Sequence, residues 1–239
     1  YGLVPYLVGS LSVTGVALLF GAVPSVLCAI YLSEYTSSSV RKILKPFVDL
    51  LAGIPSVIFG LWGLFYIVPF VREHIAPFLG VTTSGQSLIS AGFILGIMVT
   101  PIIISVTDEV LQSIPEKFTG ASLALGSTKW KAIKTNIRTS ALPGITGAVI
   151  LGFGRAIGET IAMSMLSGSV GKIPGSLFDP FATLTTLINN TIGYSAAEPK
   201  YVSALAMAGF ILLVIVLIAN IAGTVIVNRT TGETNVNNR

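Results

Sequence analysis

Charge is what this 239-residue chain most lacks. It carries 14 basic and 10 acidic side chains, 10% of its residues, where a soluble domain of this size uses about 25% to cover its surface. Cysteine and histidine are nearly absent too, with only Cys28 and His74. A lone thiol in an apolar run excludes a disulfide framework and a cysteine-based metal site. A single imidazole excludes the H-E-x-x-H zinc pattern. No G-x-x-x-x-G-K-[ST] string occurs, so the chain has no loop of its own to cradle the phosphates of ATP. Ser56 and Ser164 have no candidate base beside them, which argues against an intramembrane hydrolase.

What the chain does contain is apolar. Hydrophobic residues make up 52% of it, and the mean hydropathy is +0.85. The charge-free stretches are Tyr1–Ser33, Leu50–Val71, Ile75–Thr107, Thr139–Gly154 and Tyr201–Asn228. All but the fourth are long enough to cross a hydrocarbon core about 30 Å thick. The fourth reaches that length only if its helix continues through Arg155 and Glu159 to about Leu166. The expected architecture is an all-α polytopic bundle with spans near 6–32, 48–71, 86–111, 140–166 and 201–228. No fixed-period repeat and no Gly/Ser- or Pro-rich linker divides it, so residues 1–239 read as one membrane domain. Pro24, Pro55, Pro101 and Pro143 lie inside the apolar runs. A bundle tolerates such kinks because neighbouring helices satisfy the freed backbone groups.

The net charge of +4 resembles a nucleic-acid signal but sits in the gaps between apolar runs, so no nucleic acid is expected. Arg41, Lys42 and Lys45 fall in the first gap, Lys117, Lys129, Lys131, Lys134 and Arg138 in the long third gap, and Arg229 and Arg239 in the tail. The other side holds only Arg72, Lys172 and Lys200. The side richer in Lys and Arg is expected to be cytoplasmic, with the N-terminus outside and the C-terminus inside. An N-terminus outside without a signal peptide is awkward, so a sixth helix is expected upstream.

The gap at about 113–138 is too long for a connector and too polar to cross a membrane. Ser113 and Glu116 form an S-x-x-E capping box around Pro115, which predicts a helix to about Leu125. Gly126 is a C-terminal stop, and Ser127 or Thr128 caps a second helix carrying Lys129, Trp130, Lys131 and Lys134. Ala121, Leu123, Ala124, Leu125, Trp130 and Ile133 make an apolar strip. Such a helix–glycine–helix element suits docking to a protein, or equally rest on anionic headgroups.

Arg155 and Glu159 are the only ionisable groups placed deep within a span. A charge near the bilayer centre costs about 2.5–3.5 kcal/mol on insertion scales, so it should face protein or water. Their i, i+4 spacing predicts one shared face and a pair, alongside a stripe of small residues: Gly144, Ala148, Gly152, Gly158 and Ala162. A guanidinium fork suits an oxyanion because it donates two parallel hydrogen bonds. The competing interpretation is a structural ion pair. Asp49 reads as an interfacial anchor near Lys42 and Lys45.

The segment GASLALGSTKWKAI (Gly120–Ile133) resembles the ATPase-coupling loop of ABC importer permeases, keeping Ala121, Gly126 and Trp130, with Gly120 and Leu125 also in the expected loop. It departs at Gly120, where Glu is usual, and at Arg138–Thr139, where a Leu-Pro would fall. LAGIPSVIFGLWGLF (Leu51–Phe65), GRAIGETIAMSM (Gly154–Met165) and IPGSLFDP (Ile173–Pro180) are similar to the PstC-type permeases of phosphate importers, and the resemblance spans nearly the whole chain. It implies a prokaryotic cell-membrane permease, without catalytic residues or a bound metal, whose Arg155 and Glu159 line the path of inorganic phosphate. It also implies a PstA-type second permease, an ABC ATPase dimer that carries ATP and Mg, and an external phosphate-binding protein. A permease for molybdate or sulfate, or a gradient-driven carrier, is the alternative; a carrier should show internal repeats.

Overall fold

The computed structural model describes residues 2–195 and 199–236. Arg239 lies outside the described residues. Among the described residues are nine helical segments: α1 (Val4–Glu34), α2 (Ser38–Ala52), α3 (Ser56–Phe78), α4 (Leu88–Gln112), α5 (Glu116–Ala124), α6 (Lys129–Ile157), α7 (Ile161–Leu166), α8 (Leu184–Ser195) and α9 (Pro199–Val236). Five contain a stretch long and apolar enough to cross a membrane: α1, α3, α4, α6, and α9 over Tyr201–Gly223.

The most buried span is α4, and α1 and α6 pack directly on it. It meets α1 where Gly21 lies against Gly96; a Cβ on Gly21 would stand 2.6 Å from the Gly96 carbonyl oxygen. Small residues at this crossing let the two backbones touch, which in lipid replaces the missing hydrophobic drive for helix association. Val13, Ala17, Ile94, Leu95, Val99 and Ile103 fill the core around it. By contrast α9 buries little, and Phe210, Leu213, Leu217 and Ile221 project outward from it.

Three of the prolines share one device. Five-residue π turns at Gly63–Ile67, Val71–Ile75 and Ile137–Ala141 precede Pro69, Pro77 and Pro143 by two residues. A proline in a helix has no N–H to donate and crowds the carbonyl four residues back; a locally widened turn relieves both. Pro24 and Pro101 are carried inside α1 and α4. Pro55 does not kink a span. It is the N-cap of α3, with extended backbone.

The second span therefore begins at Ser56, not at 48. Residues 38–52, read above as a basic gap running into an apolar one, form the separate amphipathic helix α2, capped by the Ser37 hydroxyl accepting from the Val40 N–H. The fourth span also differs. It runs unbroken from the hairpin at Lys129 to Ile157, then stops short of the Leu166 expected for it; α7 begins at Ile161 after a gap of three residues.

Nor is the stretch after Leu166 a simple surface loop. Gly168 and Ser169 take positive φ values of 76° and 54° and turn the chain. Phe181 is fully buried and its N–H donates to the Ser167 carbonyl. Thr183 to Thr186 are buried as well, with the Leu184 N–H donating to the Ser10 hydroxyl of α1 at 3.0 Å. Residues 167–183 thus turn back into the bundle and lead into α8, whose first turn is buried there.

Candidate functional site

Two features concentrate the chemistry: the hairpin α5–α6 and the break between α6 and α7. In the hairpin, α5 starts at Glu116 with Pro115 just outside it. Ser113 is the C-cap of α4, with its hydroxyl donating to the Val110 carbonyl, and the N-cap position of α5 is Pro115 rather than Ser113. Gly126 has φ +79°, the left-handed value expected at a helix stop. Of the two candidate caps for the second arm it is Thr128, whose hydroxyl accepts from the Lys131 N–H at 3.3 Å. Asn136 donates to the Thr119 hydroxyl at 2.9 Å and ties the arms together. The Lys129 ammonium lies 4.7 Å from the Tyr35 ring and ties the hairpin to the end of α1.

Leu123, Leu125 and Trp130 are exposed, Leu125 at 88%, and Gly120, Ala121, Ala124 and Gly126 are exposed beside them. Ile133 does not belong to this strip. It is 1% exposed, because the second arm turns into the bundle and carries Ile133 inward. A Cβ on Gly120 would meet nothing within 4 Å, so the absent Glu leaves no void inside the fold.

The break dissolves the expected i, i+4 pair. The helix ends at Ile157 with Gly158 as its C-cap, and Glu159 leaves the helical register. No ion pair or hydrogen bond joins it to Arg155 among the described residues. Glu159 is half-buried and turns forward instead: its Oε1 accepts from the Ala162 N–H at 3.4 Å, at the start of α7. Its backbone carbonyl accepts from the Thr185 hydroxyl at 3.0 Å, in the first turn of α8. Irregular backbone at membrane depth is tolerated only where protein or water satisfies it, and Thr185 supplies that satisfaction here.

Arg155 is exposed, one turn beyond the exposed Leu151. The small-residue stripe does not continue to it as a path. Gly144 abuts Val110 and Gly152 abuts Ile103, both on α4, and Ala162 abuts Gly60 on α3. Those residues are consumed by packing within the chain, while Arg155 stands on the free side of α6. An apolar cleft of about 480 Å³ lies near Tyr6, Leu187 and Tyr201, and its described lining residues carry no charge.

Sequence reasoning missed two elements. Thr185 gave only a weak signal, the threonine-rich string Ala182–Thr186. Asp108 closes the third charge-free run yet is 1% exposed; its Oδ1 pairs with Arg41 at 2.5 Å and its Oδ2 accepts from Gln112 at 2.7 Å. Asp49 accepts from the Ser105 hydroxyl on α4 at 3.2 Å, so it anchors α2 to the bundle rather than to the interface alone. At the opposite end, Asp179 accepts from the Gly175 and Ser176 N–H groups at 2.8 and 3.0 Å and from the Ser176 hydroxyl. These donors favour the charged form and hold its carboxyl below the usual range, the Gly175 bond most of all.

Residues 25–232 match the family described as the binding-protein-dependent transport system inner membrane component. The chain belongs to this family. It is 36% identical over 214 residues to a probable ABC transporter permease, YqgH, of Bacillus subtilis, covering 90% of this chain and 68% of that protein. It is 35% identical over 234 residues to a probable phosphate transport system permease, PstC, of Methanocaldococcus jannaschii, covering 93% and 74%. Among solved structures, an inward-facing MetNI methionine ABC transporter superposes with TM-score 0.70 at 21% identity over 96% of each chain. A bacterial alginate-importing ABC transporter superposes with TM-score 0.63 at 19% identity, over 92% of this chain and 78% of that one. The bundle is therefore the ABC importer permease fold, and the chain is a membrane component of such a system.

Proposed function

We propose that this chain is the permease subunit of an ATP-driven phosphate importer and that Arg155 and Glu159 border the phosphate path. Its relatives among PstC-type permeases support the cargo. The observation that carries the site is the state of Arg155: a guanidinium on a spanning helix, exposed, beside a helix break, with no carboxylate paired to it among the described residues. A charge so placed must face water or another protein, and its planar fork matches two oxygens of hydrogen phosphate. Glu159, held at the start of α7 by the Ala162 N–H, stands within one break of it and can accept the proton of the anion.

The free side of α6 then faces a second permease of the PstA type across the path. The basic end of the bundle faces the cytoplasm, where the exposed strip Ala121–Leu125 and Trp130 docks on an ABC ATPase dimer holding ATP and Mg. This chain binds no cofactor and hydrolyses nothing itself. An external phosphate-binding protein delivers cargo to the opposite end.

The test is radiolabelled phosphate uptake per assembled complex, in cells without other phosphate importers. Arg155→Lys keeps the charge and loses the fork; Arg155→Ala with Glu159→Ala removes both groups. Hydrogen bonds to charged groups are worth about 1.5–3 kcal/mol, so both variants should assemble and lose tenfold or more of uptake. Near-normal uptake by the double variant refutes the path. Competition with sulfate and molybdate in the same assay checks the cargo.

A further inference from the structure

The polar row between α2 and α4 serves neither the hairpin nor the break. At about 100° per residue, Val40, Ile43, Leu44, Phe47, Leu50 and Leu51 share one side of α2, and all six are exposed. Arg41, Lys45 and Asp49 share the other side, and each meets α4: Arg41 pairs with Asp108 at 2.5 Å, Lys45 with Glu109 at 3.9 Å, and Asp49 accepts from Ser105 at 3.2 Å. No residue of α2 is buried. Its polar side is turned inward and its apolar side outward, so the row is its attachment to the bundle.

The most buried pair of the row is Arg41–Asp108, with side chains 19% and 2% exposed. Asp108 stands one turn before the end of α4 at Gln112, and α5 of the hairpin begins at Glu116. In the other direction α2 passes through Gly53–Ile54–Pro55 into α3. There Gly60 lies directly on α7: a Cβ on it would be 2.8 Å from Met165 Sδ and 3.1 Å from Ala162 Cα. Ala162 is the residue whose N–H holds Glu159. The α2–α4 contacts, the short covalent link Gly53–Pro55 and the α3–α7 contact thus join the hairpin end of α4 to the Glu159 break.

We infer that Arg41 and Asp108 are a positioning pair for transport: they make α2 follow the hairpin end of α4, and α3 passes that displacement to α7 and the break. This rests on the transport function proposed above. A buried pair with one partner removed leaves an uncompensated charge, so each single variant should loosen α2 from α4 without touching hairpin or break.

The readout is phosphate transported per ATP hydrolysed by the assembled importer, with its ATPase and binding protein, in proteoliposomes. Arg41→Gln and Asp108→Asn are each expected to lower this ratio about fivefold or more, the scale of a coupling free energy between sites, while hydrolysis per complex changes little. The exchanged pair, Arg41→Asp with Asp108→Arg, should recover most of it. An unchanged ratio in the single variants overturns the inference. So does a loss confined to the amount of complex assembled, which assigns the pair to folding. A second measurement leaves the pair intact: in a Cys28→Ser background, Lys45→Cys and Glu109→Cys are joined by a short bis-thiol linker. Transport should survive linking, because α2 and α4 move together; a block on linking overturns the inference. If the unaltered complex carries no phosphate, the functional reading has failed instead, and the ratio is read with the anion it does carry.

Discussion

Replacing Gly126 isolates one backbone torsion at the hairpin. Its φ is +79°, and a Cβ there would meet nothing within 4 Å, so a side chain brings no clash, only the cost of holding an L-residue in the left-handed region. That cost is about 1–2 kcal/mol, greater for a β-branched residue. The arms resist relaxation because Asn136 is bonded to Thr119 and Lys129 rests on Tyr35. The strain is then met by a shift in hairpin geometry, and 1–2 kcal/mol lowers the population of the docking shape about 5–30-fold. Gly126→Asn should be nearly silent, since Asn tolerates this region; Gly126→Ala should be intermediate and Gly126→Val the most severe. The assay is phosphate uptake against ATP hydrolysis in the assembled complex, with membrane assembly measured separately. Wild-type transport by Gly126→Val, or an Asn variant as impaired as Val, refutes the hinge.

Orientation is checked by thiol labelling in a Cys28→Ser background. Lys172→Cys should react with an impermeant reagent outside intact cells and Ser127→Cys only after permeabilisation; the reverse pattern inverts the placement of the hairpin. Lys172 is exposed in the stretch between α7 and α8. The Asp179 turn should respond to acid. A carboxyl held below its ordinary value stabilises the fold above the unfolded pKa, near 4, and that contribution is lost as pH falls through the lowered folded value. Hydrogen exchange at Gly175 and Ser176, corrected for intrinsic rates, should show protection that is steady from neutral pH to about 5 and collapses in stronger acid. Asp179→Asn should lose protection already at neutral pH; an unchanged profile refutes the turn's dependence on the carboxylate.

Composition and charge spacing determined a great deal by themselves. Lipid leaves a chain few ways to satisfy its backbone, so the apolar runs had to become helices, and five did. Gly126 was legible because one torsion demanded it. The strings around Leu51–Phe65, Gly154–Met165 and Ile173–Pro180 pointed to the family that the match over residues 25–232 then showed.

What only the tertiary structure decided lies where a local rule competes with a distant partner. Hydropathy cannot separate α2 from α3, because Pro55 inside an apolar run is equally a kink or a cap, and the polar row on α4 settles it. Helical periodicity placed Arg155 beside Glu159, but the break at Gly158–Thr160 holds because Thr185, 26 residues away in sequence, donates to the Glu159 carbonyl. Asp108 reads as the polar end of a span until Arg41 arrives from another helix to bury it. A sequence specifies which groups need partners; which partner reaches them depends on chain segments brought together only by the packed bundle.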